Sequence, residues 1–135
     1  MSLQFATTMR NAMLDTFESD TGTSAVMKIR TGAQPAACAT ADAGTVLATL
    51  NLPSDWMAAA SGGTKAKSGT WEDTSGDAAG VAGHFRIYKS DGTTCQCQGT
   101  VTATGSGGDL TLDNTNIAVA QDIVITSFTL TAPGA

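Results

Sequence analysis

The sequence predicts a mainly β protein: an antiparallel β-sandwich or jelly roll of seven or eight strands with one N-terminal amphipathic helix. Residues 123–130 alternate between two faces with the period of two that is typical of a strand. Ala78–Lys89 and Thr93–Thr104 also alternate, and the Asp91-Gly92 turn between them predicts a hairpin. Glycine turns separate the other short strands, and this spacing favours a sandwich or a jelly roll.

Residues 4–18 predict the helix. Five apolar side chains recur every three or four residues and form a stripe on one face: Phe5, Met9, Ala12, Met13 and Phe17. Gly22 ends the helix in a turn rich in Asp and Thr. Because a single amphipathic helix is not stable alone, we expect the stripe to lie on a sheet of the same domain, with a neighbouring subunit as the second possibility.

Two strands and a long loop follow the helix. Ala25–Arg30 and Thr45–Leu52 both alternate, and Pro53 ends the second because proline cannot donate to a sheet ladder. The loop over residues 31–44 contains Pro35 and many alanines. Loops of this length are uncommon in compact domains unless they serve contact or function, so we expect a contact loop here.

The remaining elements are shorter. Ser54–Ala60 predicts a helical turn that carries Trp56, and Thr64–Trp71 predicts a strand weakened by Gly69. After the hairpin and the loop at 105–108, short strands are expected before the last one, at Asp109–Leu112 and Ile117–Ala120. The length of 135 residues predicts one domain over 1–135, with a helical arm at about 4–18 and a β-sandwich at about 24–131.

Composition and charge exclude several classes of function. Charged residues make up 14% of the chain, against about 25% in a typical globular protein. A surface covered by Thr, Ser and Ala is easily desolvated, which indicates extensive protein contact. The net charge is −5, and residues 90–135 contain no Lys or Arg. Nucleic-acid binding needs a basic stripe, so we expect no nucleic-acid partner.

No apolar run approaches the roughly 20 residues of a membrane span, and the first residues lack the pattern of a signal peptide. We therefore expect no membrane partner. The cysteines are Cys38, Cys95 and Cys97. Cys95 and Cys97 are expected on one face of a strand, at a distance that suits a disulfide badly. Reduced thiols from a cytoplasm fit this pattern best.

The sequence contains no convincing catalytic or cofactor site. His84 is the one histidine, and it lacks a reacting partner and an orienting group in its neighbourhood. Cys95 and Cys97 offer too few ligands for a structural zinc site, which needs four. We therefore predict no enzyme activity, cofactor or metal. Whether the acidic group Glu72, Asp73 and Asp77 binds calcium stays open.

Several stretches together carry a family resemblance: Leu47–Ser61, Gly83–Tyr88, Gln98–Val101 and Asp109–Gly134. In these stretches the chain resembles small structural proteins of tailed bacteriophages and prophages, and most closely the capsid cement, or decoration, proteins of short-tailed phages. The resemblance covers most of the chain and includes no catalytic motif. It implies a jelly-roll-like fold and dimeric placement on the capsid.

The resemblance implies a non-enzymatic virion protein that binds and stabilises the assembled head lattice. The expected partners are the major capsid protein or another virion protein, and a second copy in a homodimer or other homo-oligomer. The protein would be made in the bacterial host cytoplasm and be located in the virion. The alternative is a tail, collar or fibre-associated β-sandwich that binds another virion protein or a host glycan. The expected contact residues are Phe5, Met9, Met13, Phe17, Pro35 and Trp56.

Overall fold

The computed structural model describes residues 3–135 and is mainly β, with one N-terminal helix and a sheet rich in antiparallel pairs. The helix α1 spans Thr7–Thr21, so it begins and ends slightly later than predicted. Gly22 follows it with φ +89°, as expected for a glycine that ends a helix. Within residues 3–135 there are ten strands: β1 (Val26–Thr31), β2 (Val46–Asn51), β3 (Thr64–Ala66), β4 (Trp71–Asp73), β5 (Gly80–Tyr88), β6 (Cys95–Ala103), β7 (Leu110–Leu112), β8 (Asn116–Ile117), β9 (Ile123–Ile125) and β10 (Thr129–Thr131).

The main sheet has the strand order β2-β1-β5-β6-β7, and β8 pairs with the first residues of β5. At its centre lies the β5–β6 hairpin, which confirms the sequence prediction. Asp91 holds the turn, because one of its carboxylate oxygens accepts the main-chain N–H groups of Thr93 and Thr94 at 2.8 and 2.9 Å. Gly92 has φ +71°, a conformation that glycine adopts without steric cost.

Two short ribbons, β3 with β10 and β4 with β9, contribute to the same hydrophobic core as the main sheet. Phe128 joins them to the main sheet. Its ring centroid lies 5.4 Å from that of Trp71 in β4 and 5.6 Å from that of Phe85 in β5. The core therefore lies between one face of the main sheet and the ribbons.

The predicted continuous strand over 123–130 is wrong. Ile123–Ile125 pairs with β4, whereas Thr129–Thr131 pairs with β3, so the chain changes ribbons between the two. Ile123 and Ile125 are buried before the change and Phe128 after it, so the buried positions pass from odd to even numbers. A shift of one residue exchanges the two faces of a strand. Because the alternation over residues 123–130 is that of a single strand, this shift is not visible in the sequence.

Two other predicted elements also differ. The strand over Thr64–Trp71 is divided into β3 and β4 around Gly69, whose φ is +71°. Ser54–Ala60 contains no helical turn; instead Met57 forms an isolated bridge with Lys67. These divisions explain why the described residues contain ten strands rather than the seven or eight predicted.

β7 lies parallel to β6, although the sequence predicts antiparallel neighbours. The connection over residues 104–109 is much shorter than the crossover of about a dozen or more residues that parallel strands usually need. Gly105 and Gly107 adopt φ values of +90° and +83°, which let the chain double back. The hydroxyl of Thr102 accepts the Gly108 N–H at 2.9 Å and holds the loop against β6.

Candidate interaction surface

The outward face of α1 and the segment before it carry a line of exposed apolar side chains. Leu3, Phe5, Met9 and Met13 are 59%, 36%, 53% and 36% exposed, and we call these four residues the α1 outer face. Met9 and Met13 are four residues apart on α1, which places their side chains above one another, and Phe5 lies in the segment directly before the helix. Three of the six predicted contact residues therefore lie together on one surface.

The prediction that this stripe lies on the β part holds only for Phe17, which packs against the core, because the buried face of α1 is the one beside the stripe. That face carries Arg10, Leu14 and Thr21. The Arg10 guanidinium donates a hydrogen bond of 2.7 Å to the carbonyl of Ala132 and one of 3.3 Å to the carbonyl of Pro133. Polar anchoring, which an apolar pattern does not reveal, therefore sets the orientation of the helix.

A second anchor is a buried cation on β3. Lys65 is almost fully buried, and its ammonium group lies 2.7 Å from the carboxylate of Asp15 and 2.8 Å from that of Glu18. Burial alone would lower the pKa of Lys65, but the hydrogen bonds to both carboxylates outweigh it and raise that pKa. The hydrogen bonds from Lys65 and from the Ala60 N–H lower the pKa of Asp15. Lys65 and Asp15 are therefore held charged, and α1 is fixed to the β part.

Phe17 and Trp56 lie inside the molecule. Trp56 is fully buried, and the half-buried Phe17 ring packs edge-on against it with centroids 5.5 Å apart. The Trp56 indole N–H donates to the carbonyl of Gly22 at 2.9 Å, which links the end of α1 to the core. The structure thus gives Trp56 a core position instead of the contact position predicted from the sequence.

The loop over residues 32–45 covers the polar side of the main sheet rather than projecting from it. Pro35 is half-buried, and its carbonyl accepts a hydrogen bond of 2.7 Å from the side-chain amide of Gln98 in β6. The carbonyl of Ala37 accepts a hydrogen bond of 3.0 Å from Arg86 in β5. The loop therefore lines the sheet with its main chain.

Asp42 is the charged centre of this covering loop. Its carboxylate lies 3.1 Å from the guanidinium of Arg30 and 2.8 Å from that of Arg86, and it accepts the Tyr88 hydroxyl at 2.7 Å. Burial acts to raise the pKa of Asp42, but the hydrogen bonds from Tyr88 and Arg86 and the charges of both arginines outweigh it and lower that pKa. Burial and the bond to Asp42 raise the pKa of Tyr88 to about 12.

His84 is fully buried on the same side of the sheet. Its Nδ1 lies 2.9 Å from the carbonyl of Gly32, so Nδ1 carries the proton and donates it to that oxygen. Its Nε2 has no hydrogen-bond partner within residues 3–135. Since water does not reach the ring, the arrangement offers no access for a substrate to this histidine.

The prediction that Cys95 and Cys97 share a face is wrong. Ile87 pairs with Cys97 and Tyr88 pairs with Cys95, so Gln96 is the extra residue of a β-bulge. Cys97 packs against the core, whereas Cys95 lies beside Tyr88 on the polar side. Burial raises the pKa of Cys95 to about 12 and that of Cys97 to about 11, so both thiols stay protonated at neutral pH and are poor nucleophiles.

Whether Glu72, Asp73 and Asp77 bind calcium is open from the sequence, and in the structure two of these carboxylates make structural hydrogen bonds. The two Asp73 oxygens accept the N–H groups of Thr49 and Ser75 at 2.8 and 2.9 Å. Asp77 accepts the Thr49 hydroxyl at 2.7 Å. In the described part of the chain, no three or more His, Cys, Asp or Glu side chains are grouped closely enough to hold a metal ion.

The sequence patterns did not identify Leu3 as part of the α1 outer face, Arg10 and Lys65 as its supports, or Asp42 as the anion of the covering loop. One signal was present: Arg30, His84 and Arg86 occupy alternate positions of their strands, which marks one side of the sheet as polar. A buried arginine needs an anion, and Asp42 is the one carboxylate in the covering loop. No comparable signal pairs Lys65 with α1.

Comparisons of the chain with protein-family models, with curated proteins and with solved structures gave no significant match. No helix within residues 3–135 is both long enough and apolar enough to cross a membrane.

Proposed function

We propose that this chain is a non-enzymatic structural protein of a bacteriophage virion, a cement protein that binds the assembled head lattice and stabilises it. The observation that carries the proposal is the α1 outer face, an exposed and uncharged apolar surface. In the same proposal the main sheet and the ribbons are the two layers of a jelly-roll-like sandwich. The protein is located in the virion, and its partners there are the major capsid protein and a second copy of itself.

Rigidity supports a binding role for this face. Arg10 and Lys65 fix the adjacent side of α1 to the β part, so Met9 and Met13 are held in place before a partner arrives. A preorganised surface loses little conformational entropy on binding. Exposed apolar side chains that are grouped on one surface are typical of interaction sites.

The repeated binding sites of a capsid lattice favour the cement role over binding to a single partner. One line of four apolar side chains provides only a modest contact. On a lattice each copy can make several such contacts, and linked weak contacts give high total affinity. The low charge of the chain, 14% of residues, lowers the cost of desolvating the remaining contact surface.

The test replaces Met9 and Met13 with Gln, which keeps helix propensity and removes the apolar contact. We expect affinity for purified heads that lack the protein to fall by about tenfold or more, since two buried methionines are lost. Val119→Gln is the matched control, because Val119 is 64% exposed but lies outside α1. Equal binding by the double variant and the control would contradict the proposal.

Counting copies of the polypeptide in purified virions distinguishes the head from the alternative location. Hundreds of copies would agree with a cement protein of the head lattice. A count of about six to twelve would instead indicate a ring in the tail, collar or connector. The chain's absence from virions would refute both locations.

A further inference from the structure

A second surface, far along the chain from α1, is a groove between β6 and β10. The groove has a volume of about 430 Å³. Cys97 and Gln98 line one wall, and Thr129–Thr131 line the other. The groove lies where β7 leaves part of β6 uncovered, since β7 pairs with Val101–Ala103 only.

The main chain of β6 points into this groove. The Thr100 N–H donates to the carboxylate of Asp109 at 2.9 Å, so Thr100 faces away from β5. Alternate residues of an antiparallel strand direct their N–H and C=O groups to the same side. Gln98 therefore presents its main-chain donor and acceptor to the groove as well.

The main chain of β10 points into the groove from the other wall. The carbonyl of Phe128 accepts the Lys67 N–H at 2.9 Å, and the Ala132 N–H donates to the carbonyl of Gly63 at 3.0 Å. The even-numbered residues thus face β3. By the same alternation, Thr129 and Thr131 direct their N–H and C=O groups towards the groove, where no strand within residues 3–135 pairs with them.

The floor between the walls is apolar. Phe85 and Phe128 pack edge-to-face there, with ring centroids 5.6 Å apart, and the half-buried Leu130 and Cys97 lie beside them. Two facing strand edges above an apolar floor match an extended peptide, which offers main-chain groups on both edges and side chains towards the floor. A helix satisfies its own main chain and cannot bond to either wall.

The charge around the groove indicates the kind of peptide. Asp109 is exposed at its end, and Thr100 occupies only the Oδ2 atom of its carboxylate. Residues 90–135 carry acidic side chains and no Lys or Arg. A second copy fits poorly, because its seven basic residues lie in α1 or in and directly after strands that are already paired.

We propose that this groove binds an extended segment of another protein, which adds as a strand between β6 and β10 and places a Lys or Arg beside Asp109. The apolar residues of the segment face Phe85 and Phe128. The groove is separate from the α1 outer face, so either surface can fail its test without the other.

The test uses a blocked peptide of about ten residues that alternates Thr and Val with one central Lys, the length of a long strand. Titrated into the 135-residue protein, it should shift the amide NMR signals of Gln98, Thr129 and Thr131 and slow their hydrogen exchange. The same peptide N-methylated on alternate residues should not bind, because it lacks the donors of one edge. No shift at millimolar peptide, or equal binding of the methylated peptide, would overturn the proposal.

Asp109→Asn tests the charged position without removing the acceptor for Thr100. We expect this variant to bind the Lys peptide about twofold to fivefold more weakly than the wild type does. Its affinity for a peptide with Gln in place of Lys should be unchanged. Equal effects on both peptides would refute the placement of the basic residue. If the same three amide signals shift with protein concentration alone, a second copy is the occupant and the proposed partner is wrong.

Discussion

Asp42 shows how one side chain organises the polar side of the main sheet. It neutralises Arg30 and Arg86 and accepts the Tyr88 hydroxyl. Both arginines are buried, so each depends on this carboxylate for its charge balance. Asp42 therefore supplies the charged contact of the covering loop, beside the main-chain hydrogen bonds at Pro35 and Ala37.

Replacing Asp42 with Asn keeps the shape and removes the charge. We expect the free energy of unfolding to fall by about 1–3 kcal/mol, less than for a fully buried pair because the Asp42 side chain is 39% exposed. Urea denaturation measures the change. Asp122→Asn, at an exposed carboxylate outside the cluster, is the control and should have little effect. Equal losses in both variants would contradict the role of Asp42.

The same residue predicts a pH dependence. The folded pKa of Asp42 lies below its ordinary value of 3.8, so its contribution to stability is present above that value and is lost as the pH falls through the folded pKa. The wild-type protein should therefore lose stability below about pH 4 more steeply than Asp42→Asn. If the stability of the two proteins depended on pH in the same way, the prediction for Asp42 would be contradicted.

Sequence reasoning reached part of this residue-level arrangement. The alternation that places Arg30 and Arg86 on one side is visible in the chain, and so is the long loop that contains Asp42. The pairing itself depends on how the loop folds back, which has no local pattern. For Cys95 and Cys97 a local pattern misled the prediction. Alternation along a strand places residues two apart on one face, but the β-bulge between these cysteines puts them on opposite faces.

Among the elements, α1 differs most from its sequence prediction. Its existence and approximate bounds follow from periodicity, but its apolar stripe faces outward except at Phe17. The hydrophobic pattern predicts an apolar face on the helix, but it does not predict which part of the molecule packs against that face. Arg10 and Lys65 turn the helix away from the expected orientation through long polar side chains, whose partners are more than forty residues away in sequence.

Lys65→Met tests the anchoring of this element. The change leaves Asp15 and Glu18 facing an apolar side chain without their cation, so α1 should separate more easily from β3. We expect a loss of about 1–3 kcal/mol in the free energy of unfolding, because both carboxylates can turn partly to water. In this variant, amide hydrogen exchange that is faster in α1 than in β5 would show that the stability is lost at the helix. Lys89→Met is the control, because Lys89 makes no ion pair within residues 3–135, and an equal loss there would refute the anchor.

At the scale of the whole molecule, Phe128 connects the ribbons to the main sheet. It is buried between Trp71 and Phe85, at the point where the chain passes from one ribbon to the other. The mainly β architecture and the central hairpin follow from the sequence. The two ribbons and the parallel β7 do not, because strand partners distant in sequence leave no periodic trace.

Phe128→Ala should weaken the contact between the ribbons and the main sheet. Removing a buried aromatic ring costs about 3–5 kcal/mol in the free energy of unfolding. Val124→Ala is the control at an exposed position four residues earlier, and we expect a change within about 0.5 kcal/mol there. Thermal and urea denaturation measure both. A loss below about 1 kcal/mol for Phe128→Ala would show that the ribbons do not depend on this ring.

A continuous row of rings runs from the helix to the main sheet through Phe17, Trp56, Trp71, Phe128 and Phe85. The two indoles in this row are the only tryptophans in the chain, and both are shielded from solvent. Their intrinsic emission should therefore shift to longer wavelength whenever water enters at either end. The protein thus carries its own optical reporter of internal opening, readable without any attached label.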